Sequence, residues 1–362
     1  MTTRRSFLTG AVAASLWPQS SWAEAGAPTF LSAARDRHGA FLLAGLDPQG
    51  QILFRHPLPG RGHAAAAHPL RPEAVAFARR PGRFADVIDC RDGGVRTRIT
   101  PPDGHHFYGH GCFSPDGTRL FTTENDFENA RGIIGVWEAS ATGYRRIGHF
   151  ASGGIGPHDM LLRQNSGKWQ LVVANGGIET HPDSGRAKLN LPEMRPNLSL
   201  LTLDGAPLDR LELDPELRLN SIRHLALSKD GTIGFAMQWQ GDGGTDLPIT
   251  GLYHPGDPVR LLAVEDPRLR NLAGYGGSLT FSARGDTLAV SSPRGGVVQI
   301  MDCASGHLLR EHFLADVCGL GTGQDGLVAS TGQGRLMTLS DVGVHQLGQE
   351  DLAWDNHLVT LT

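Results

Sequence analysis

The chain has few cysteines, no long apolar run and no concentration of charge of one sign. Its 362 residues include four cysteines, and none stands in a CxxC or CxxCH motif. This argues against covalently attached c-type haem and thioredoxin-like chemistry. No segment after the N-terminal region approaches the ~20 apolar residues that a membrane-spanning helix requires. The formal net charge is −4 and basic residues are not clustered, so nucleic acid is not an expected partner.

The N-terminus resembles an export signal. Arg4-Arg5 precedes Phe7-Leu8 and a weakly apolar stretch over residues 10–17, and small residues follow at Ala23 and Ala25. This arrangement resembles a twin-arginine signal, although a chance arginine pair before an ordinary secretory signal is the alternative. We therefore predict a periplasmic protein, exported already folded, whose signal (residues 1–25) is cleaved near Ala23 or Ala25.

A short pattern recurs along the chain at a spacing of roughly forty to fifty residues, which is typical of repeat folds. The clearest copies are HGCFSPDG from His110 and HLALSKDG from His224. Looser copies begin at His63, His158 and His357. Two further copies, from Ser278 and Cys318, lack the histidine.

Each copy opens a unit of short strands separated by polar turns, as residues 110–150 illustrate with four strand-like segments. Four antiparallel strands repeated about an axis form a β-propeller blade. Residues 26–362 are thus predicted to be a single all-β domain, a seven-bladed β-propeller. Residues 29–58 supply three strands of one blade and residues 357–361 its innermost strand, which closes the ring and removes exposed sheet edges. The other predicted blades cover residues 63–100, 110–150, 158–213, 224–264, 278–313 and 318–347.

The predicted blades assign each cysteine a position within a strand. Cys90 and Cys303 fall at the end of a third strand, whereas Cys112 and Cys318 open an inner strand. An oxidising compartment permits disulfides, but these positions lie at opposite faces of a propeller. We therefore predict free, mostly buried thiols.

The repeated histidines are the candidate functional residues. His63, His110, His158, His224 and His357 begin inner strands of five consecutive blades, so we expect an arc around one mouth of the channel. Opposite sides of a seven-bladed channel are expected to be too far apart for one ion, which favours a local pair, His110 and His158. Imidazole binds iron, copper, zinc and nickel alike.

Polar loops cross the same mouth and provide further candidates. Glu124 and Glu179 are alternative oxygen ligands, and Glu179, Gln238 and Arg294 are candidate cofactor-binding residues. An insertion at residues 175–197 is much longer than an ordinary hairpin and is predicted to be a lid that brings Glu179 to the channel. The alternative is that the histidines have only a structural role. Gly62-His63 and Gly109-His110 resemble the Gly-His pair that WD-type propellers use as a structural hydrogen-bonding device, in which case the histidines would bond to backbone or to the aspartate of the next turn.

Several motifs resemble a known family. They are RGH from Arg61, YGHGCFSPDG from Tyr108, TENDFENARGIIGVW from Thr123, GPHD from Gly156, PNLSLL from Pro196 and SIRHLALS from Ser221. Together they make the mature chain similar to uncharacterised Tat-exported propeller proteins of proteobacteria. The genes of that family lie beside imelysin-type iron-binding proteins and di-haem oxidoreductases. The resemblance implies export, a propeller fold, an iron-uptake context and an imelysin-like or di-haem partner, and it implies no catalytic residue.

Three classes of function remain open. The first is a binding protein for a metal ion or haem, with iron or copper as the metal. The second is an interaction scaffold for a periplasmic iron protein. The third is an enzyme of the lactonase or quinoprotein type, for which no Ser-His-Asp order or carboxylate pair is evident.

Overall fold

Seven antiparallel sheets make up the computed structural model, six of four strands and one of five. The structure describes residues 21–361 except residues 244, 245 and 325. The sheets form the blades of a propeller ring, so the predicted all-β, seven-bladed β-propeller is confirmed. The predicted arginine pair of the export signal lies outside the described residues. Within them, no helix is long and apolar enough to cross a membrane.

The strands are given blade by blade. Blade 1 contains β1 (Phe30–Asp36), β2 (Phe41–Leu46) and β3 (Ile52–Leu58). Blade 2 contains β4 (Gly62–Ala67), β5 (Glu73–Ala78), β6 (Ala85–Asp89) and β7 (Gly94–Ile99). Blade 3 contains β8 (His105–Phe113), β9 (Arg119–Asp126), β10 (Arg131–Ser140) and β11 (Gly143–Ala151). Blade 4 contains β12 (Pro157–Asn165), β13 (Lys168–Asn175), β14 (Asn197–Thr202) and β15 (Pro207–Glu212).

Blade 5 contains β16 (Asn220–Leu227), β17 (Ile233–Trp239), β18 (Thr250–Tyr253) and β19 (Arg260–Leu261). Blade 6 contains β20 (Ser278–Phe281), β21 (Thr287–Ser292), β22 (Val297–Asp302) and β23 (Leu308–Phe313). Blade 7 contains β24 (Val317–Gly323), β25 (Gly326–Thr331), β26 (Arg335–Ser340) and β27 (Gly343–Gln349). Two short strands follow, β28 (Leu352–Trp354) and β29 (Val359–Thr360). The described 3-10 helices are Trp22–Ala25, Pro182–Ser184, Leu191–Glu193, Pro215–Leu217 and Pro267–Leu272.

The recurring Ser-x-Asp-Gly sequence forms the turn between the first two strands of a blade. In blade 3, Asp116 Oδ1 accepts hydrogen bonds from Ser114 Oγ at 2.5 Å and from the Thr118 amide at 3.0 Å. Gly117 follows with φ +69°, a conformation that suits glycine. The same chemistry recurs in blade 5, so a local turn signal accounts for the repeat seen in the sequence.

The ring is closed by the two ends of the chain. β28 and β29 both pair antiparallel with β1, so the C-terminal segment forms the axial edge of blade 1. Ser32 Oγ also donates to the His357 carbonyl oxygen at 2.8 Å. The predicted closure is confirmed, although the separate strand β28 was not predicted.

Apolar side chains fill the spaces between neighbouring blades. Phe77 of blade 2 and Phe107 of blade 3 are fully buried in one such layer, with ring centroids 6.3 Å apart. The cysteines belong to these layers: all four lie in the described part of the chain and are free, as predicted. Burial raises the pKa of Cys303 to about 11 and that of Cys318 to about 12, which makes both thiols poor nucleophiles.

Candidate metal centre

The repeat histidines converge at the axis of the propeller into one compact group, called here the histidine cluster: His63, His110, His158, His224 and His357. All five side chains are buried. Ring centroids in contact are 4.5–6.3 Å apart. His224 and His357, from the two ends of the arc, are separated by only 5.0 Å. The expectation that only histidines of adjacent blades could share an ion was therefore wrong.

Irregular backbone turns these side chains toward the axis. In blades 2, 3 and 4 the pairing of the first strand with the second shifts register across His63, His110 and His158 respectively. In blade 5 the shift falls immediately before His224, and His357 lies between β28 and β29. A β-bulge bends its strand and re-aims the local side chains. The propeller thus delivers imidazoles to its axis instead of leaving them around a mouth.

Gly109 shows why a glycine precedes His110. Its φ is +103°, and a Cβ atom added there would lie 2.6 Å from Cδ2 of His63. The glycine therefore provides space for the imidazole of the preceding blade. The WD-type interpretation of the Gly-His pair predicted a bond from histidine to backbone or to the aspartate of the next turn. His110 Nδ1 does contact an aspartate, Asp159 Oδ1 at 2.9 Å, but this residue lies within β12 and not in a turn.

Four of the five cluster histidines have lowered pKa values, which favours their neutral form at physiological pH. Burial lowers the pKa of His63 to about 4, with Asp355 opposing the shift. Burial, followed by the nearby histidines, holds the pKa of His158 and His357 well below the usual range. Burial likewise holds the pKa of His224 well below that range. Neutral imidazole is the form that coordinates metal ions.

Several ring nitrogens in the cluster lack hydrogen-bond partners among the described residues. They are His63 Nδ1, His110 Nε2, His158 Nδ1 and both nitrogens of His224. Each buried polar atom without a partner costs roughly 1–3 kcal/mol, so a native protein normally satisfies it. Ligand atoms of His63, His110 and His158 lie within 4.8 Å of one another, as do those of His110, His224 and His357. The residues present therefore fit a metal ion.

Two carboxylates stand behind the imidazoles, and sequence reasoning missed both. Asp159 contacts His110, as above, and also accepts the Leu225 amide at 2.9 Å. Asp355 Oδ1 lies 3.6 Å from His63 Nδ1. Carboxylates behind ligating histidines fix the ring orientation and raise the basicity of the ligand nitrogen. The positions next to the repeat histidines, His158-Asp159 and Asp355-x-His357, were the available signal.

The remaining sequence candidates do not join the cluster. Glu124 lies within β9, fully buried, and its carboxylate accepts from Arg146 at 2.7 and 3.0 Å. Glu179 lies in the insertion and takes no part in either set of ligand atoms. Gln238 donates to the Gly276 carbonyl at 3.3 Å, and the exposed Arg294 stacks over Tyr275 at 4.5 Å. Glu124 and Arg294 thus have structural partners, whereas the five histidines are brought together.

A chamber of about 870 Å³ extends from the cluster toward the far ends of the inner strands. His110, His224 and His357 form part of its wall, and Trp22 and Trp169 stand among its other lining residues. An ion bound to these histidines would be reachable by a small molecule from this side. On the opposite side, Arg79 and Arg223 bring positive charge close enough to act on the imidazoles.

Residues 56–361 match the family described as "Protein of unknown function (DUF1513)". The chain belongs to this family. The match spans all five histidines of the cluster, so the cluster lies within the family's own domain and not in an appended segment. The family description assigns no activity, which leaves function to be argued from the site.

The solved structures that resemble this chain share its fold at low sequence identity. "Kuenenia stuttgartiensis Hydrazine Synthase" superimposes with a TM-score of 0.58 at 12% identity over 86% of this chain and 89% of that one. The Myceliophteria thermophila Cps50 (Swd1) β-propeller domain gives 0.56 at 12% identity over 86% and 91%. A 1,4-alpha-glucan branching enzyme, GlgB 1, of Xanthomonas axonopodis pv. citri is 29% identical over 170 residues, or 41% of this chain. The chain spans only 23% of that enzyme's length.

Proposed function

We propose that the protein binds a first-row transition-metal ion directly through the histidine cluster. The observation that carries the proposal is the burial of five imidazoles at one point of the axis, four of which have a ring nitrogen without a hydrogen-bond partner among the described residues. Burying that many polar rings destabilises the fold unless something satisfies them. A metal ion satisfies several at once.

The ligand atoms that the cluster offers restrict which metal ions can bind. Nitrogen ligands without thiolate suit iron, copper, zinc and nickel and disfavour magnesium and calcium, which prefer oxygen. The rings are 4.5–6.3 Å apart, which leaves no room for a porphyrin between them, so a bare ion is favoured over haem. His110 belongs to both sets of ligand atoms. Its Nδ1 contacts Asp159, so one nitrogen, Nε2, is available, and His110 can ligate an ion in one set at a time.

The biological setting rests on the sequence resemblance. A twin-arginine substrate folds before export, so its metal would be inserted in the cytoplasm and carried to the periplasm. An iron-uptake accessory acting with an imelysin-like or di-haem protein accords with that setting and with an imidazole site. Burial of the cluster favours retention of the ion over rapid exchange with solvent.

Metal titration of chelator-treated protein tests the proposal. Fe(II) under anaerobic conditions, Cu(II), Zn(II) and haem are each titrated by calorimetry and absorption spectroscopy. In the double variant His110→Asn/His224→Asn, the asparagine at 110 can still contact Asp159 but lacks the inward-facing nitrogen. We expect wild type to bind at least one of the ions and the double variant to bind it at least tenfold more weakly.

The exposed His149 provides a matched control. His149→Asn should bind the ion as wild type does. Equal binding by wild type and the folded double variant, or binding by neither, would remove the metal site. The histidines would then be structural, and the interaction scaffold would be the remaining function.

A further inference from the structure

The mouth on the side of the insertion carries six cationic side chains, called here the cationic mouth: Arg79, Arg80, Arg186, Lys188, Arg223 and Arg294. They come from separate parts of the chain. Arg79 and Arg80 follow β5, and Arg223 precedes His224 in β16. Arg186 and Lys188 belong to the insertion, and Arg294 follows β21. The fold therefore collects positive charge here from blades that are distant in sequence.

The positive charge is not balanced by carboxylates. Among the described residues, Arg79 is the only member with an acidic neighbour, Asp355 at 3.9 Å. That carboxylate already accepts from Arg61 at 2.7 Å. Arg223 Nε donates to Ser221 Oγ at 2.8 Å. Elsewhere a buried carboxylate such as Glu124 pairs with an arginine, Arg146, whereas at the mouth five of the six cations have no carboxylate within 4.0 Å among the described residues.

The charges of these cations act on one another. Burial, and then the charge of Arg186, lower the pKa of Arg80. Burial is the main cause of a lowered pKa at Lys188, and the positive charges of Arg223 and Arg294 lower that pKa further. Collecting like charges destabilises the free protein. Such an arrangement is commonly stabilised by an anionic ligand.

A small cavity of about 110 Å³ lies between the propeller and the insertion, lined in part by Arg80, Arg186 and Thr180. The Thr180 hydroxyl and the neighbouring Tyr108 hydroxyl both lack a hydrogen-bond partner of normal geometry among the described residues, and Thr180 is 5% exposed. Water occupies about 30 Å³ per molecule, so the cavity has room for a small oxyanion. Two arginines and a free hydroxyl are the donors that oxyanions require.

The walls of this cavity are held in place. The Asn125 side-chain amide donates to the Thr180 carbonyl at 3.0 Å, which ties the insertion to blade 3. Asn190 donates to the Gly177 carbonyl at 3.0 Å and accepts the Glu179 amide at 2.7 Å. The donors are therefore fixed in position before any ligand binds, which lowers the entropy cost of binding.

We propose that the cationic mouth binds a small, multiply charged oxyanion of the polycarboxylate or phosphate class, with Arg80, Arg186 and Thr180 as its donors in the cavity. Arg79, Lys188, Arg223 and Arg294 supply long-range attraction around it. The proposal does not depend on metal binding at the histidine cluster. It assigns a role to the insertion that differs from the predicted one, since Arg186 and Thr180 contribute and Glu179 does not.

Calorimetry with citrate and with inorganic phosphate, each against metal-free protein at low ionic strength, tests the site and distinguishes the two sources. Acetate serves as a monoanion control. Wild type is expected to bind citrate or phosphate more tightly than acetate, and Arg80→Gln/Arg186→Gln to lose at least tenfold in affinity. Thr180→Val, which removes only the hydroxyl, should weaken binding several-fold.

Arg145→Gln is the matched control, because Arg145 and its partner Glu138 are both exposed on the outside of blade 3. It should bind the anion as wild type does. The double variant should melt no lower than wild type without ligand, since removing like charges relieves repulsion. No binding of citrate or phosphate by wild type, or equal binding by the folded double variant, would overturn the proposal. Binding of a long polyanion such as heparin without either small anion would also overturn it and would indicate an acidic macromolecule.

Discussion

His224 and His357 belong to blades 5 and 1, which blades 6 and 7 separate, and yet their ring centroids are 5.0 Å apart. The channel is therefore narrow enough at this level for one group of imidazoles to fill it. Blades 6 and 7 complete the ring with backbone and small side chains. Ser291 Oγ, for example, donates to the Cys318 carbonyl at 2.6 Å.

Asp159 should control metal affinity through His110. Its pKa is held below the usual range because His110 outweighs the effect of burial, so the carboxylate is ionised. Asp159→Asn removes that charge while keeping an acceptor for the Leu225 amide. We expect about 10–100-fold weaker metal binding, the usual cost of losing a carboxylate behind a ligating histidine. Calorimetric titration measures this, with Asp204→Asn at an exposed site as control. Unchanged affinity would show that Asp159 has only a structural role.

Gly109 is expected to tolerate no side chain. In Gly109→Ala the new methyl group would meet the His63 ring at 2.6 Å, and the φ of +103° is unfavourable for alanine. We expect a loss of about 1–3 kcal/mol in the free energy of unfolding, together with weaker metal binding. Urea denaturation provides the measurement. Gly148→Ala, where a Cβ atom meets nothing within 4 Å, is the control and should be close to neutral. Equal stability of both variants would contradict the assigned contact.

The blades were predictable because their signals are local. Each unit contains apolar strands joined by polar turns, of the Ser-x-Asp-Gly type in blades 3 and 5, and a turn is determined by residues adjacent in sequence. The closing strand was predictable for a related reason, since an incomplete first blade requires a partner from the other end of the chain.

The arrangement of the site was not predictable because it depends on β-bulges. In a regular strand His158 and Asp159 would point to opposite faces. The register shift between Pro157 and Asp159 breaks this alternation, and Asp159 instead contacts His110 of the preceding blade. Glu124 failed as a ligand candidate for the opposite reason. It was assigned to a loop but lies within β9, where Arg146 of the same blade binds its carboxylate.

The C-terminal closure should be essential for stability. Deleting residues after Trp354 removes β29 and the backbone bond from the Leu361 amide to the Thr29 carbonyl, 2.8 Å long. Removing an ordinary frayed terminus costs close to nothing, whereas this deletion exposes the axial edge of blade 1. We expect a markedly lower melting temperature by differential scanning calorimetry. A truncated protein with the same melting temperature as wild type would contradict the pairing of β29 with β1.

Export should require both arginines of the N-terminal pair. Replacing Arg4-Arg5 with Lys-Lys removes the feature that distinguishes a twin-arginine signal. We expect unprocessed precursor in the cytoplasm, detected by fractionation and immunoblotting. Normal maturation of the Lys-Lys form would indicate a Sec route. A native N-terminal sequence of the wild-type mature protein would show, in addition, whether cleavage removes Trp22, whose indole donates to the His68 carbonyl at 2.9 Å.

Acid should destabilise the metal-free protein through buried neutral histidines, and His68 allows one contribution to be isolated. Its Nδ1 accepts the amides of Leu70 and Arg71 at 3.0 Å each, so protonation there would oppose two donors. Burial lowers the pKa of His68 to about 4 from 6.5 in the unfolded chain. The unfolded state therefore binds the proton first, and the stabilisation is complete above pH 6.5 and is lost as the pH falls toward 4. For this one group the change is about 3 kcal/mol. His68→Asn keeps an acceptor for the two amides without a titrating ring, and its free energy of unfolding should fall less between pH 7 and pH 4. Urea denaturation measures the free energy of unfolding of both proteins against pH. If it falls by the same amount in wild type and variant, His68 does not contribute to the acid sensitivity.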